Sequence, residues 1–137
     1  LLSAPMVPVD TNVLIDIFQD DPQCADWSMG RIRAQALVHP LAINPVVYAE
    51  ISLSFSKLQA LDDAVDTMGL QMRELLRPAP FLAAKAFVLY RRRGGSRQQV
   101  FAEFFIGAHT AVEGWPLLTR DGSRFRTYFP TLELVTL

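Results

Sequence analysis

Val7-Pro8-Val9-Asp10-Thr11-Asn12-Val13-Leu14-Ile15-Asp16 reads as a short buried strand that ends in a carboxylate and turns directly into a helix. In an open α/β sheet, ligands bind in the crevice beyond the carboxyl ends of the strands. That rule places Asp10 at the mouth of such a crevice. Thr11 and Asn12 are suited to tying up the free backbone donors where the helix begins. A plain helix-cap role for Asp10 is the competing reading, and the rest of the chain has to decide between the two.

Downstream, the pattern alternates. Met6–Val9 is the first expected strand and Thr11–Phe18 the first helix. Asp21 followed by Pro22 signals a cap and a first helical position, with a helix running to about Leu37. His39–Ile43 is a second strand, and Asn44-Pro45 repeats the cap-then-proline signal ahead of an almost wholly apolar helix over Val46–Phe55. Leu58–Met68 is amphipathic, with Asp62, Asp63 and Asp66 on its wet side, and Gly69 closes it. Leu70–Arg73 suits a short strand. Pro80–Arg92 is a helix ended by Gly94-Gly95, and Val100–Glu113 a helix ended by Gly114. Pro116–Thr119 is a strand, Asp121-Gly122 a turn, and Leu132–Val135 a final strand. Strands alternating with helices imply a parallel sheet covered on both faces.

The 137 residues suit one domain over 1–137, and a content that is 50% apolar suits a globular chain. No apolar run is long enough to span a bilayer, and no leader pattern opens the sequence. Cys24 is the only cysteine, which excludes an internal disulfide or a thiolate metal cage and fits a reducing cytoplasm. A net charge of −1 gives no global attraction to nucleic acid, so any such binding needs a local patch.

Three further carboxylates stand out. Glu50 lies among Val46, Val47, Tyr48, Ala49, Ile51 and Leu53, where an unpaired charge is costly. It either pairs with an arginine or faces a polar pocket. Glu103 shares a helix face with Gly107 and Thr110, a small polar stripe that suits either solvent or the close approach of a ligand or backbone. Asp121 repeats the logic of Asp10, an apolar strand ending in an acid, although taken alone a plain Asp-Gly turn is the reading to beat. Acids gathered in one crevice repel each other unless cations neutralise them. An oxygen-only donor set selects Mg²⁺ or Mn²⁺, which bind phosphate oxygens and activate water. Asp16 reads as a solvated helix residue. His39 and His109 are too few for zinc and read as satisfied structural histidines.

Taken together, Val-Asp-Thr-Asn-Val-Leu-Ile-Asp (9–16), Val-Tyr-Ala-Glu (47–50), Phe-Phe-Ile-Gly-Ala-His (104–109) and Leu-Leu-Thr-Arg-Asp (117–121) resemble PIN-domain ribonucleases. Tyr-Arg-Arg-Arg-Gly-Gly-Ser-Arg (90–97) narrows the resemblance to VapC-type toxins of type II toxin–antitoxin systems. The resemblance implies a three-layer α/β/α sandwich with a central parallel sheet of four to five strands, usually as a homodimer. It implies Mg²⁺- or Mn²⁺-dependent RNA cleavage and inhibition by a small antitoxin protein. By motif position, Asp10, Glu50, Glu103 and Asp121 correspond to the catalytic and metal-binding acids, with Thr11, Asn12 and Thr119 in support. Glu103 departs from the pattern, because the family usually has aspartate there.

Arg91, Arg92, Arg93 and Arg97 flank Gly94-Gly95, and Arg120, Arg124 and Arg126 surround Asp121. Guanidinium forks match phosphate oxygens, so Arg91, Arg92, Arg93, Arg97 and Arg120 are candidate RNA contacts. A solvated, dipole-favoured helix end is the alternative for Arg91–Arg93. A metal-dependent endoribonuclease toxin is therefore the leading reading. A PIN-fold RNA-binding or partner-binding module with weakened catalysis is the second. A phosphatase with Asp10 as nucleophile lacks a second acid two residues later.

Overall fold

A computed structural model describes residues 5–136. The ends of the expected 1–137 unit, and the start of the chain where a leader would lie, fall partly outside those residues. Among the described residues, five short strands, all pairing in parallel, form the framework: β1 (Val7–Pro8), β2 (Leu41–Ile43), β3 (Leu70–Met72), β4 (Leu117–Leu118) and β5 (Leu134–Val135). β1, β2 and β3 make one sheet in that order, and β4 and β5 a second. A single parallel bridge, Val9 to Leu118, joins the two.

Pro8 accounts for the narrowness of that seam. Val7 and Val9 donate their backbone N–H groups towards the β2 side, to Pro40 O and Ala42 O. The intervening residue would donate the other way, towards β4, and proline has no N–H to give. Pairing with β4 therefore begins only at Val9, and Asp10 N donates to Leu118 O at 2.8 Å. Leu41, Ala42 and Ile43 are all buried although successive side chains point to opposite faces. Both faces of the sheet are thus covered, as expected for an α/β sandwich.

Seven α-helices among the described residues supply the cover: α1 (Thr11–Phe18), α2 (Ala25–Ala36), α3 (Pro45–Ile51), α4 (Leu58–Thr67), α5 (Pro78–Arg92), α6 (Val100–Glu113) and α7 (Ser123–Tyr128). Local signals explain several boundaries. Asn44 Oδ1 accepts from Val47 N at 2.9 Å, with Pro45 opening α3. Asp21 Oδ1 accepts from Gln23 N and Cys24 N, a capping turn that delays α2 to Ala25. Gly114, at φ 72°, ends α6 in the left-handed conformation that glycine tolerates. The apolar helix expected over Val46–Phe55 is shorter, since α3 ends at Ile51 and a 3₁₀ turn takes Ser52–Ser54.

α7 has no counterpart among the expected elements. It begins right after the Asp121-Gly122 turn and drives Phe125 and, just beyond it, Phe129 into the core. Gly107 on α6 receives them: a Cβ there would lie 2.7 Å from the Phe129 ring and 3.0 Å from that of Phe125. Thr110 is fully buried and its hydroxyl donates to Ile106 O. The small stripe of Gly107 and Thr110 thus serves close packing, and only Glu103 of that stripe reaches a cleft. His109 is a second correction. Its Nδ1 lies 3.2 Å from Asn44 Nδ2, but Nε2 is buried with no partner among the described residues, so it is only half satisfied. His39 Nδ1 is likewise unpartnered among them.

Candidate active site

The β1–β4 seam is where the strand order turns outward in two directions, the place where an α/β sheet opens a crevice at its carboxyl edge. A cleft of about 470 Å³ opens there. Asp10 comes to it from the end of β1, Glu50 from the last turn of α3, Glu103 from the first turn of α6, and Asp121 from the loop after β4. The structure thus brings all four predicted acids to one cleft from four separate segments. Thr11, Asn12, Arg97 and Arg120 also line it, while Thr119 sits behind Asp10. Arg91, Arg92 and Arg93 do not line it. They are exposed, with Arg91 over the Phe87 ring and Arg93 over that of Tyr128.

Each acid has a different environment. Asp10 is only 4% exposed, and its one side-chain partner is the Thr119 hydroxyl, which donates to Oδ2 at 2.8 Å. Burial pushes its pKa up to about 7, the Glu103 and Glu50 charges add to that rise, and the Thr119 hydrogen bond works against it. Glu50 accepts from Thr11 Oγ1 at 2.7 Å and meets no arginine, so of the two expectations for it the polar pocket holds. Burial, with repulsion from Glu103, raises its pKa, again against its hydroxyl partner. Glu103 Oε2 accepts from Arg124 Nε at 2.5 Å. Asp121 sits at the rim, where Oδ1 accepts from Ser123 N and Ser123 Oγ. Those bonds lower its pKa and also start α7.

Thr11 and Asn12 do not cap α1. Thr11 reaches Glu50, and Asn12 reaches across the seam, where Oδ1 accepts from Arg120 N at 3.3 Å and Nδ2 donates to Thr119 Oγ1 at 3.4 Å. Asp16 corrects the sequence expectation more sharply. It is buried, and its carboxylate accepts from Arg120 Nε at 2.7 Å, Arg120 Nη2 at 3.3 Å and Ser28 Oγ at 2.9 Å. The Arg120 guanidinium is therefore held by Asp16 on the cleft wall. Arg97 reaches the cleft because its loop folds over Tyr90. The Tyr90 hydroxyl accepts from Arg97 N at 3.2 Å, and Gly95 lies so close to the ring that a Cβ would sit 2.3 Å from it. Gln99 is a lining residue that the sequence did not single out, and of the basic cluster around Asp121, Arg120 and Arg124 line the cleft.

The donor set is oxygen only, and the buried, poorly compensated Asp10 fits a cation partner. The residues are not pre-clustered, however: among the described residues no three acids, histidines or cysteines converge closely enough to form a ready-made cage.

A family model described as PIN domain matches residues 7–129. No curated protein compared with the chain gives a sequence match. Among solved structures, the chain is similar to VapBC2 from Rickettsia felis bound to a DNA fragment from its promoter. The identity is 17%, over 96% of this chain and 98% of that one, with a TM-score of 0.71. It is similar to VapBC-1 from nontypeable Haemophilus influenzae at 15% identity, over 96% and 97%, with a TM-score of 0.69. DNA-bound VapBC from Salmonella typhimurium gives 15% identity over 99% and 98%, also at 0.69. At such identities the likeness speaks for the fold.

The Asp10 environment gives a pH prediction that needs no activity. The folded state holds the Asp10 proton more tightly than the unfolded chain does, so this group's contribution is full below about pH 4. It is lost as pH rises through about 7. Asp10→Asn, which mimics the protonated form, is expected to be more stable than the parent at pH 8 without metal, by up to about 4 kcal/mol, and so to melt higher. The difference should vanish towards pH 4. Thermal melts at the two pH values check this, and a parent as stable as the variant at pH 8 contradicts it.

Proposed function

The chain belongs to the PIN-domain family, and from that premise we propose that it is a metal-dependent endoribonuclease, the toxin half of a type II toxin–antitoxin pair. The observation that carries this reading is the gathering of Asp10, Glu50, Glu103 and Asp121 on one cleft walled by Arg97, Arg120 and Arg124. These four acids would hold Mg²⁺ or Mn²⁺, hard ions that favour carboxylate oxygen. Asp10 and Glu50, whose carboxyls are held above their ordinary range, gain most from a cation beside them. Such an ion, when bound, supplies a polarised phosphoryl oxygen and an activated water.

The remaining work falls to the chain itself. Thr119 and Thr11 fix the orientation of the Asp10 and Glu50 carboxylates through their hydroxyls. Arg97 offers a guanidinium fork to a phosphate oxygen, and the Tyr90–Gly95 contact holds its loop at the cleft. Arg120, fixed by Asp16, adds positive charge that tolerates the phosphodiester backbone beside so many acids. Arg91, Arg92 and Arg93 extend the basic surface away from the cleft, where a bound RNA strand would continue.

A binding module with weakened catalysis is the second reading. It draws on the absence of a ready-made cage among the described residues and on the pairing of Glu103 with Arg124. Cleavage separates the two. RNA cleavage is expected to need Mg²⁺ or Mn²⁺ and to fall by several orders of magnitude in Asp10→Asn, since metal stabilisation supplies several kcal/mol at the transition state. Undiminished cleavage in excess EDTA, or by that variant, would sink the metal mechanism.

An antitoxin partner is proposed because the similar structures are VapBC pairs, and co-purification with the product of an adjacent small gene tests it. A homodimer is proposed on apolar surface left open: Phe81, Leu82, Val88 and Leu89 along α5, and Leu53 at 90% exposure after α3. Within α3 itself, Val47 and Ile51 are buried in the core. Light scattering at micromolar concentration is expected to give twice the chain mass, and a monomeric mass would count against the dimer.

A further inference from the structure

Two arginines of the cleft are paired with carboxylates, and the pairs differ in kind. Arg120 is locked. Its partner Asp16 is buried, takes two guanidinium nitrogens and is further held by Ser28. Asp16 is not among the acids that face each other at the seam. Arg124 makes a single contact, Nε to Glu103 Oε2, and the pair borders solvent, with 34% of the arginine side chain and 20% of the glutamate side chain exposed. Its partner is one of the four acids that a cation would use.

The charges around Glu103 are unequally compensated. Asp10 and Glu50 have hydroxyl partners, from Thr119 and Thr11, but no arginine or lysine among the described residues, and both feel the Glu103 charge. Arg124 is thus the cation that offsets this group of acids, and it does so through Glu103. The extra methylene of Glu103 relative to aspartate adds about 1.5 Å of reach from the helix. Arg124 comes from α7, whose start is tied to Asp121 through Ser123, so the arginine arises three residues from another acid of the site.

We propose that Arg124 is a resident cation of the cleft that exchanges with a divalent ion: the two compete for Glu103, and the arginine released by the ion becomes available to an RNA phosphate. The inference rests on the metal-nuclease reading above and adds a coupling between ion and substrate that the reading does not require. A partly exposed, singly bonded pair is weak enough to be opened, whereas Arg120, its side chain itself 33% exposed, is held through two nitrogens by a buried carboxylate that Ser28 also fixes. A released guanidinium keeps its charge at any working pH and matches phosphate geometry.

The test measures binding on the full chain, without turnover. Mn²⁺ affinity is determined by calorimetry for the parent, Arg124→Met, Glu103→Gln and the double variant, with circular dichroism to verify folding. Arg124→Met should bind Mn²⁺ more tightly, by roughly three- to tenfold, because the competitor is gone. In the Glu103→Gln background the same change should have no effect, since the contested carboxylate is gone. Equal or weaker Mn²⁺ binding by Arg124→Met overturns the exchange. So does an unchanged gain in the Glu103→Gln background. Loss of Mn²⁺ binding in every protein, parent included, overturns the metal reading and the exchange with it.

A second arm uses a short single-stranded RNA. Arg124→Met should weaken RNA binding in Ca²⁺ and flatten its salt dependence, yet leave binding in EDTA unchanged. Arg124→Lys, which keeps the charge, should recover part of the Ca²⁺-dependent affinity. An RNA effect of equal size with and without Ca²⁺ overturns the coupling.

Discussion

The hydrogen bond from Asp10 N to Leu118 O, with the Val9–Leu118 bridge beside it, is the contact on which the rest of this architecture depends. It is the only strand-to-strand link between the three-stranded and two-stranded sheets among the described residues, and it sits at the point from which the order of the parallel strands grows outward to either side. Because Pro8 cannot donate towards β4, the seam is confined to the carboxyl end of β1. That confinement places Asp10 under the mouth of the cleft and brings Thr119 within 2.8 Å of its carboxylate. Asn12 then ties the Thr119 hydroxyl and the Arg120 backbone N–H to the first turn of α1 from the other side. A slip of one residue in this register would turn Asp10 away and undo the site.

The electrostatics follow from that placement. An acid held at 4% exposure with a single hydroxyl partner is expensive to ionise, and two further acids nearby make it more so. The fold offsets like charge unevenly. Asp16, itself buried, takes two nitrogens of Arg120, Glu103 takes Arg124 in a looser pair, and Asp10 and Glu50 are left without a cationic partner among the described residues. Such imbalance is characteristic of functional sites, where a perturbed group is stabilised by its ligand and not by the scaffold.

The sequence made much of this legible because local rules govern it. A strand ending in an acid, twice over, located Asp10 and Asp121. A Glu on an otherwise apolar helix located Glu50. Cap-then-proline and terminal glycines located the helix boundaries at Asn44 and Gly114. The unread parts depend on partners far along the chain. Asp16 looks solvated on its own helix and is buried only because Arg120, 104 residues away, meets it. Gly107 and Thr110 look like a polar stripe until Phe129 and Phe125 pack against that face. α7 is six residues long and starts in an Asp-Gly turn, so neither periodicity nor punctuation betrays it. Thr11 and Asn12 sit where capping residues belong, yet tertiary partners claim their side chains. For Arg91–Arg93, a run of like charges could not say which of them would face the cleft, and none does.

The central claim is that the four acids at this seam form a divalent-ion site anchored on Asp10. Anomalous diffraction at the manganese edge, from crystals of the protein grown with Mn²⁺, tests it most directly. The account predicts an anomalous peak within direct-ligand distance of the Asp10 carboxylate and shared with at least one of Glu50, Glu103 and Asp121. Manganese bound elsewhere on the surface, with the Asp10 cleft lacking anomalous density at saturating ion, would contradict it.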